Sequence, residues 1–141
     1  MRLLDFLVLA ILPVFPLGAA PSVAIPEGKG EVKVGEGERA IQVYTYKPKG
    51  FSNGPIFFVF HGAKRNAEDY RDWSIALAEK HHAVVAAPFF DQERFLAHLY
   101  SWGGILTKDG KLRDRKDWSY PMATQVIQDI LKREGDPKRE H

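Results

Sequence analysis

The sequence of 141 residues contains no cysteine. This absence excludes a disulfide framework, a thiolate nucleophile and a cysteine-ligated zinc site. An excess of one charge is lacking too, since 20 Lys and Arg residues balance 18 Asp and Glu residues and leave a net charge of +2. Such a balance gives no field that attracts a polyanion, so we expect no nucleic-acid partner. Any catalysis must use oxygen or imidazole chemistry.

No apolar run is long enough to cross a membrane. The most apolar stretch, residues 3–15, contains Pro13 and is shorter than the roughly 20 residues that span a bilayer. A basic start precedes it and small residues follow, which predicts a signal peptide over residues 1–24. We expect cleavage after Ala24, with a cut after Ala19 as the alternative, and a secreted or periplasmic product without membrane contact. An uncleaved anchor and a buried helix are the competing interpretations.

The remaining chain divides into three parts. Residues 25–38 are rich in Gly and Glu and have little to bury, which predicts a flexible leader with one weak edge strand over residues 31–34. Residues 39–135 have the patterns of a folded domain. Residues 136–141 form a polar tail.

Three segments of the domain have the pattern of strands. Residues 41–46 alternate between apolar and polar positions, as in a half-buried strand. Residues 56–60 and 83–87 are continuous apolar runs, which is typical of strands covered on both faces of a parallel sheet. The fold class predicted is therefore α/β, with a mostly parallel sheet flanked by helices.

Two amphipathic helices are predicted. The first begins at Asn66, and its apolar positions are Ala67, Tyr70, Trp73, Leu77 and Ala78. The second follows an irregular segment over residues 89–117 and runs from Pro121 to Gly135. A helix in this position normally leads to another parallel strand, and the sequence has none after it. We therefore expect the amino-terminal part of an incomplete domain.

The most informative motif follows the apolar run of residues 56–60. There the sequence reads His61-Gly62-Ala63-Lys64-Arg65-Asn66-Ala67. A strand that ends in His-Gly places flexible backbone at the carboxyl edge of a parallel sheet, where ligands bind. From about residue 41 to residue 135, the sequence resembles the α/β-hydrolase family, in particular its secreted esterases and polyhydroxyalkanoate-depolymerase-like members.

The resemblance implies a partial oxyanion hole in this loop. By position, the backbone N–H of Ala63 is one donor, and that of Lys64 is the adjacent candidate. Backbone amides suit this role because a tetrahedral oxyanion needs fixed donors. His61 and Gly62 belong to the loop, and we expect the His61 ring to bond to neighbouring loops rather than to act as a base. The alternative is that His-Gly merely ends the strand.

The family carries its nucleophile in Gly-x-Ser-x-Gly, followed by an acid and a histidine. This sequence has no such motif, and Ser101 lacks both the first glycine and a preceding buried strand. No catalytic residue can therefore be assigned. The resemblance implies the amino-terminal fragment of an exported serine ester hydrolase, acting on small or polymeric esters in its complete form. The alternative is a non-catalytic exported remnant or a small-ligand binding module.

We expect no cofactor and no metal. His81 and His82 are adjacent, so their side chains diverge, and we interpret them as a solvated helix end. Asp91, Glu93 and His98 could perform acid–base chemistry at the sheet edge. Nothing in the sequence fixes their geometry, and a solvated or substrate-loop role is the favoured interpretation.

Aromatic residues follow the second apolar run. Phe89, Tyr100 and Trp102 are the predicted substrate wall, and together with Phe90 and Phe95 they could equally belong to the core. An incomplete sheet also leaves one edge without a partner, so we expect self-association through that edge.

Overall fold

The computed structural model describes residues 23–134. Most of the predicted signal peptide, and the whole predicted tail over residues 136–141, lie outside this range. One sheet has four strands in the order β1-β2-β4-β3. The strands are β1 (Gly28–Val34), β2 (Ile41–Lys47), β3 (Ile56–Phe58) and β4 (Val84–Phe89). The α-helices are α1 (Ala67–Trp73), α2 (Ile75–His81), α3 (Ala97–Ser101) and α4 (Tyr120–Arg133).

The sheet is mixed rather than mostly parallel. β1 pairs antiparallel with β2, and β2 pairs antiparallel with β4, whereas β3 and β4 are parallel, with Phe57 opposite Val85. The prediction of a mostly parallel sheet was therefore wrong. Only six residues connect β1 to β2, and so short a connection permits a hairpin but not the crossover that a parallel pair requires. The parallel strand–helix–strand unit that ends in β4 is present as expected.

β4 is the most deeply buried strand of the sheet. Its residues from Val84 to Ala87 are fully buried between helices on both faces of the sheet. Val84 and Ala86 belong to the same core cluster as Val126 and Ile130 of α4. Because side chains alternate along a strand, Val85 and Ala87 point to the opposite face, where α1 and α2 pack. This arrangement explains the wholly apolar sequence of the strand.

β3 is shorter and more open than its sequence predicts. The apolar run of residues 56–60 contains only three strand residues, all partly buried, and Phe60 is 42% exposed. Within residues 23–134, β3 pairs only with β4. A continuous apolar run indicates that both faces of a strand can be buried. It does not show that the strand has a neighbouring strand at each of its two edges. Among residues 23–134, β3 is therefore an edge strand with partly buried residues, and the prediction that it is covered on both faces was wrong.

The segment predicted as a flexible leader over residues 25–38 is part of the sheet. β1 pairs with β2 along its whole length, and Val34 and Ile25 are buried. The Ile25 N–H donates to Oε1 of Glu134 at 3.1 Å, and Glu134 also forms an ion pair with Lys47 at 2.8 Å. As an edge strand, β1 keeps its alternate charged side chains in water, and this made its sequence resemble an unstructured segment.

The first predicted helix is divided into α1 and α2 at Ser74. The Ser74 hydroxyl donates to the Tyr70 carbonyl at 2.8 Å, a side-chain bond that competes with the helical backbone. Of the predicted apolar stripe, Ala67 and Ala78 are buried, but Trp73 is 68% exposed and Leu77 is 48% exposed, so the prediction was wrong at these two positions. The buried residues of the two helices are Ala67, Arg71 and Ala78.

Arg71 is a buried charge on this face of the sheet. Its side chain is only 3% exposed. Nη1 donates to the Thr45 carbonyl at 3.2 Å, and the other nitrogens pair with Asp72 at 2.5 Å and Glu68 at 3.0 Å. Buried charges require such partners, and here Arg71 links α1 to β2.

α4 agrees with its predicted pattern. Pro121 lies in the first turn, and Val126 and Ile130 are fully buried against the sheet. The predicted stop at Gly135 lies outside the described residues. Over residues 23–134, no helix combines the length and apolar character needed to cross a membrane.

Candidate functional site

The loop that follows β3 lies at the carboxyl end of the parallel β3–β4 pair. The Val59 N–H donates to the Ala86 carbonyl at 3.0 Å, so the parallel pairing continues one residue past β3. The chain then leaves the sheet through His61. Ligands of α/β sheets bind at this edge of parallel strands, and the loop is therefore in a suitable place for a site.

A tight turn exposes two backbone amides in this loop. The Arg65 N–H donates to the Gly62 carbonyl at 3.1 Å, which makes Ala63 and Lys64 the two central residues of a β-turn. Both central residues are exposed. Among residues 23–134, neither amide has a hydrogen-bond acceptor. The turn thus presents two adjacent N–H donors from which an oxyanion could accept hydrogen bonds.

His61 is held in one protonation state by its contacts. The side chain is buried, Nδ1–H donates to the Gly62 carbonyl at 2.9 Å, and Nε2 accepts from the Phe90 N–H at 3.0 Å. Its ring stacks on Tyr100 at 4.8 Å between centroids, and the Tyr100 hydroxyl donates to the His61 carbonyl. Burial lowers the pKa of His61. With both ring nitrogens engaged, the side chain ties the loop to β4 and has no free nitrogen for base catalysis.

Folding stability should therefore depend on the protonation of His61. Its pKa in the folded chain lies below the ordinary value of 6.5, so its contribution is present above pH 6.5 and is lost as the pH falls towards the folded pKa. We expect the midpoint of urea unfolding to fall between about pH 7.5 and about pH 5, and to fall less in His61→Gln.

The aspartates do not interfere with this measurement. Asp72 and Asp91 also have lowered pKa values, but their contributions are lost only below the ordinary value of 3.8. An equal fall in the parent chain and in His61→Gln would show that another group is responsible.

Arg65 fixes the turn from its far end. Its guanidinium donates to the Phe90 carbonyl at 3.3 Å and to the Phe95 carbonyl at 2.6 Å, and it lies over the Tyr100 ring at 4.1 Å. The backbone of Arg65 has φ of 58°, a left-handed conformation that costs a non-glycine residue about 1–2 kcal/mol. These contacts hold it there. Arg65 belongs to no hydrophobic pattern, so its role was not predictable from the sequence.

An aromatic cleft of about 210 Å³ adjoins the loop. Its aromatic lining consists of Phe60, Phe90, Tyr100 and Tyr120. Of the predicted substrate wall, the structure places only Tyr100 here. Phe89 packs edge-on against Tyr44 at 6.3 Å between centroids, and Trp102 is exposed beside a different cavity. Phe60 and Tyr120 were not predicted, because their proximity depends on how the later helix packs.

The other predicted groups do not form a second site. Asp91 accepts from the Arg94 N–H at 2.8 Å and pairs with the Arg94 side chain at 2.5 Å. Burial favours a raised pKa for Asp91, but the bonds from Arg94 outweigh burial and lower it. Glu93 is exposed and Ser101 ends α3. The part of the chain that the structure covers holds no cluster of three or more metal-binding side chains.

No family model and no curated protein matches this sequence. Solved structures do match it. Poly(aspartic acid) hydrolase-1 from Sphingomonas sp. KT-1 superposes with a TM-score of 0.70 and 28% identity over 79% of this chain and 44% of its own. A poly(3-hydroxybutyrate) depolymerase from Bordetella parapertussis gives a TM-score of 0.65 and 28% identity over 77% of this chain and 39% of its own.

The chain thus spans less than half the length of either protein. Both matched proteins are hydrolases of polymers, and the shared architecture supports the resemblance drawn from the His-Gly loop. The sheet, its flanking helices and these superpositions together give this chain a fold of the α/β-hydrolase type.

Proposed function

We propose that this chain is part of an exported serine-type hydrolase of carboxylic esters, and that it supplies backbone donors to the oxyanion hole. The observation that carries the proposal is the exposed turn in which the Ala63 and Lys64 amides have no acceptor among the described residues. One matched protein is a poly(3-hydroxybutyrate) depolymerase, and the backbone of that polymer is made of ester bonds. This match supports ester hydrolysis as the reaction class.

The chemistry requires an attacking hydroxyl as well as the donors. When a serine attacks an ester carbonyl, the carbonyl oxygen becomes an anion, and donors at about 2.7–3.1 Å stabilise it. The sequence contains no Gly-x-Ser-x-Gly. The proposal therefore assigns the nucleophile, with its base and acid, to residues outside this sequence.

The aromatic cleft supports a short acyl group as the part of the substrate bound here. Its volume of about 210 Å³ is below the ~300–1,000 Å³ that drug-sized ligands occupy. Phe60 and Tyr100 provide apolar walls, and the Tyr100 hydroxyl is already engaged with the carbonyl of His61. The cleft thus favours a small apolar group.

A chimera tests the proposed reaction. Residues 23–134 replace the matched part of the poly(3-hydroxybutyrate) depolymerase, and hydrolysis of p-nitrophenyl butyrate is measured. We expect the chimera to hydrolyse the ester and the 141-residue chain alone not to do so, because only the chimera combines the turn with a nucleophile. A chimera that folds but lacks activity would contradict the proposal.

A small-ligand binding module is the second candidate, and the missing nucleophile motif favours it. A binding module would take up an ester in the aromatic cleft and release it unchanged. Tryptophan fluorescence of the chain alone, titrated with ethyl butyrate, separates the two candidates. Saturable binding together with an inactive folded chimera would favour the binding module.

Export is the other part of the proposal, and it depends on the sequence of residues 1–24. When the full chain is expressed with its own amino terminus in a bacterium, we expect an exported product that begins at Ile25. Ala24→Leu should block this cut, because the peptidase accepts only small residues there, whereas Ala19→Leu should leave it unchanged. Intact-mass measurement identifies the terminus. A product that begins at Ala20 would select the alternative cut.

A further inference from the structure

A second cavity, of about 290 Å³, shares Ser119 with the aromatic cleft but differs from it in charge. Four basic side chains line it, and Asp117 is the one acidic residue in its lining. The basic residues are Arg39, Arg94, Arg113 and Lys116. Neither the fold nor the proposed oxyanion loop requires such a concentration of positive charge.

Two of the four cations already have carboxylate partners. Arg94 pairs with Asp91 at 2.5 Å, and it also donates to the backbone carbonyls of residues 38 and 40. Lys116 lies 3.4 Å from Asp114, and both side chains are largely exposed. The charges of these two cations are therefore already balanced within the chain.

Arg39 and Arg113 remain without a carboxylate partner among residues 23–134. The Arg39 side chain donates to the Lys116 carbonyl over a long distance, 3.4 Å. Nη1 of Arg113 is completely buried and has no hydrogen-bond acceptor in the described part of the chain. A buried charged donor without an acceptor is costly. The Arg113 side chain also lines the cavity, so an anion bound there would lie beside a guanidinium whose hydrogen bonds are incomplete.

We propose that this cavity binds an anionic ligand by its carboxylate or phosphate group, through Arg113 and Arg39. A guanidinium presents parallel N–H donors that match the oxygens of either group. Arg113 and Arg39 line the same cavity, so one ligand group there can lie near both side chains. The inference does not depend on ester hydrolysis and is tested on the chain itself.

The test is calorimetric titration of the purified chain, at low ionic strength, with citrate and with inorganic phosphate. We expect Arg113→Gln to weaken binding by about tenfold or more, and Arg39→Gln to weaken it to a smaller extent, because charged hydrogen bonds are lost. Lys49→Gln is the matched control, since it removes one exposed positive charge outside the cavity lining. Triethyl citrate, which has no charge, should not bind.

The two anions distinguish the sources of the ligand group. Binding of citrate alone identifies a carboxylate ligand, and binding of phosphate alone identifies a phosphate ligand. The absence of binding by both anions, or equal binding by the parent chain and Arg113→Gln, would overturn the proposal.

A stability measurement excludes unfolding as the cause of weaker binding. Without ligand, Arg113→Gln should melt no lower than the parent chain, because it removes a buried donor that lacks an acceptor. With citrate, the parent chain should gain melting temperature and Arg113→Gln should gain less. A variant that melts lower without ligand would show that Arg113 has a structural role instead.

Discussion

Ala63→Pro is expected to reduce the kcat of the hydrolytic chimera by about 10²–10³-fold, the usual cost of losing one oxyanion donor. Proline removes only the backbone N–H at a position where its ring is tolerated. Ala63 is the second residue of the turn closed by Gly62 and Arg65, and proline is common at that position of a β-turn. The φ angle of Ala63 is not positive, so proline's fixed φ is compatible in sign. Steady-state kinetics with p-nitrophenyl butyrate provides the measurement.

The matched control is Ala63→Ser, which changes the side chain at the same position but keeps the N–H. It should retain most of the activity, and both variants should have the circular dichroism spectrum and melting temperature of the parent. Lys64→Ala tests whether the lysine side chain contributes, since this change also leaves the backbone donor in place. Equal activity of Ala63→Pro and Ala63→Ser would show that the Ala63 N–H does not donate to the oxyanion.

Arg71→Ala is expected to lower the free energy of unfolding by about 3 kcal/mol, because it removes charged hydrogen bonds and the packing of a buried stem. The loss includes the bond to the Thr45 carbonyl at 3.2 Å, which joins α1 to the middle of β2. Glu68 and Asp72 are partly solvated, so their unpaired charges add little. Urea denaturation of the chain measures the change.

Lys29→Ala is the appropriate comparison. Lys29 pairs with the same aspartate, Asp72, at 2.8 Å but lies at the surface, where an ion pair contributes at most about 1 kcal/mol. The free energy of unfolding of Arg71→Lys should lie between those of Arg71→Ala and Lys29→Ala, because lysine keeps the charge but lacks the several N–H donors of the guanidinium. If Arg71→Ala were no less stable than Lys29→Ala, Arg71 would have no role in joining the helix to the sheet.

The strands and helices with strong periodicity were predictable from the sequence. β2, β4 and α4 follow their hydrophobic patterns closely, because burial on one or both faces determines which residues can occupy them. Strand direction was not predictable in this way. Hydropathy has the same period in parallel and antiparallel strands, and the charged edge strand β1 buries too little to stand out.

Long-range contacts explain the other differences. Arg71 occupies a buried position in α1 that the predicted apolar stripe did not include, and its partners Thr45, Glu68 and Asp72 make this possible. The location of the His-Gly loop was predictable, since it depends on the strand before it. The clamp by Arg65 and the contribution of Tyr120 to the cleft were not, because both depend on segments distant in sequence. The oxyanion role of Ala63 stays a prediction.

The bond between Ile25 and Glu134 would change character if the peptidase cuts after Ala24. The nitrogen of Ile25, now a neutral amide 3.1 Å from Oε1, would become an ammonium group facing a carboxylate that is only 5% exposed and already paired with Lys47. A cut five residues earlier would leave the nitrogen of Ile25 a neutral amide. The stability of the folded chain would then depend on where the signal peptide is removed, since only the cut after Ala24 places an ammonium group beside the buried Glu134 carboxylate.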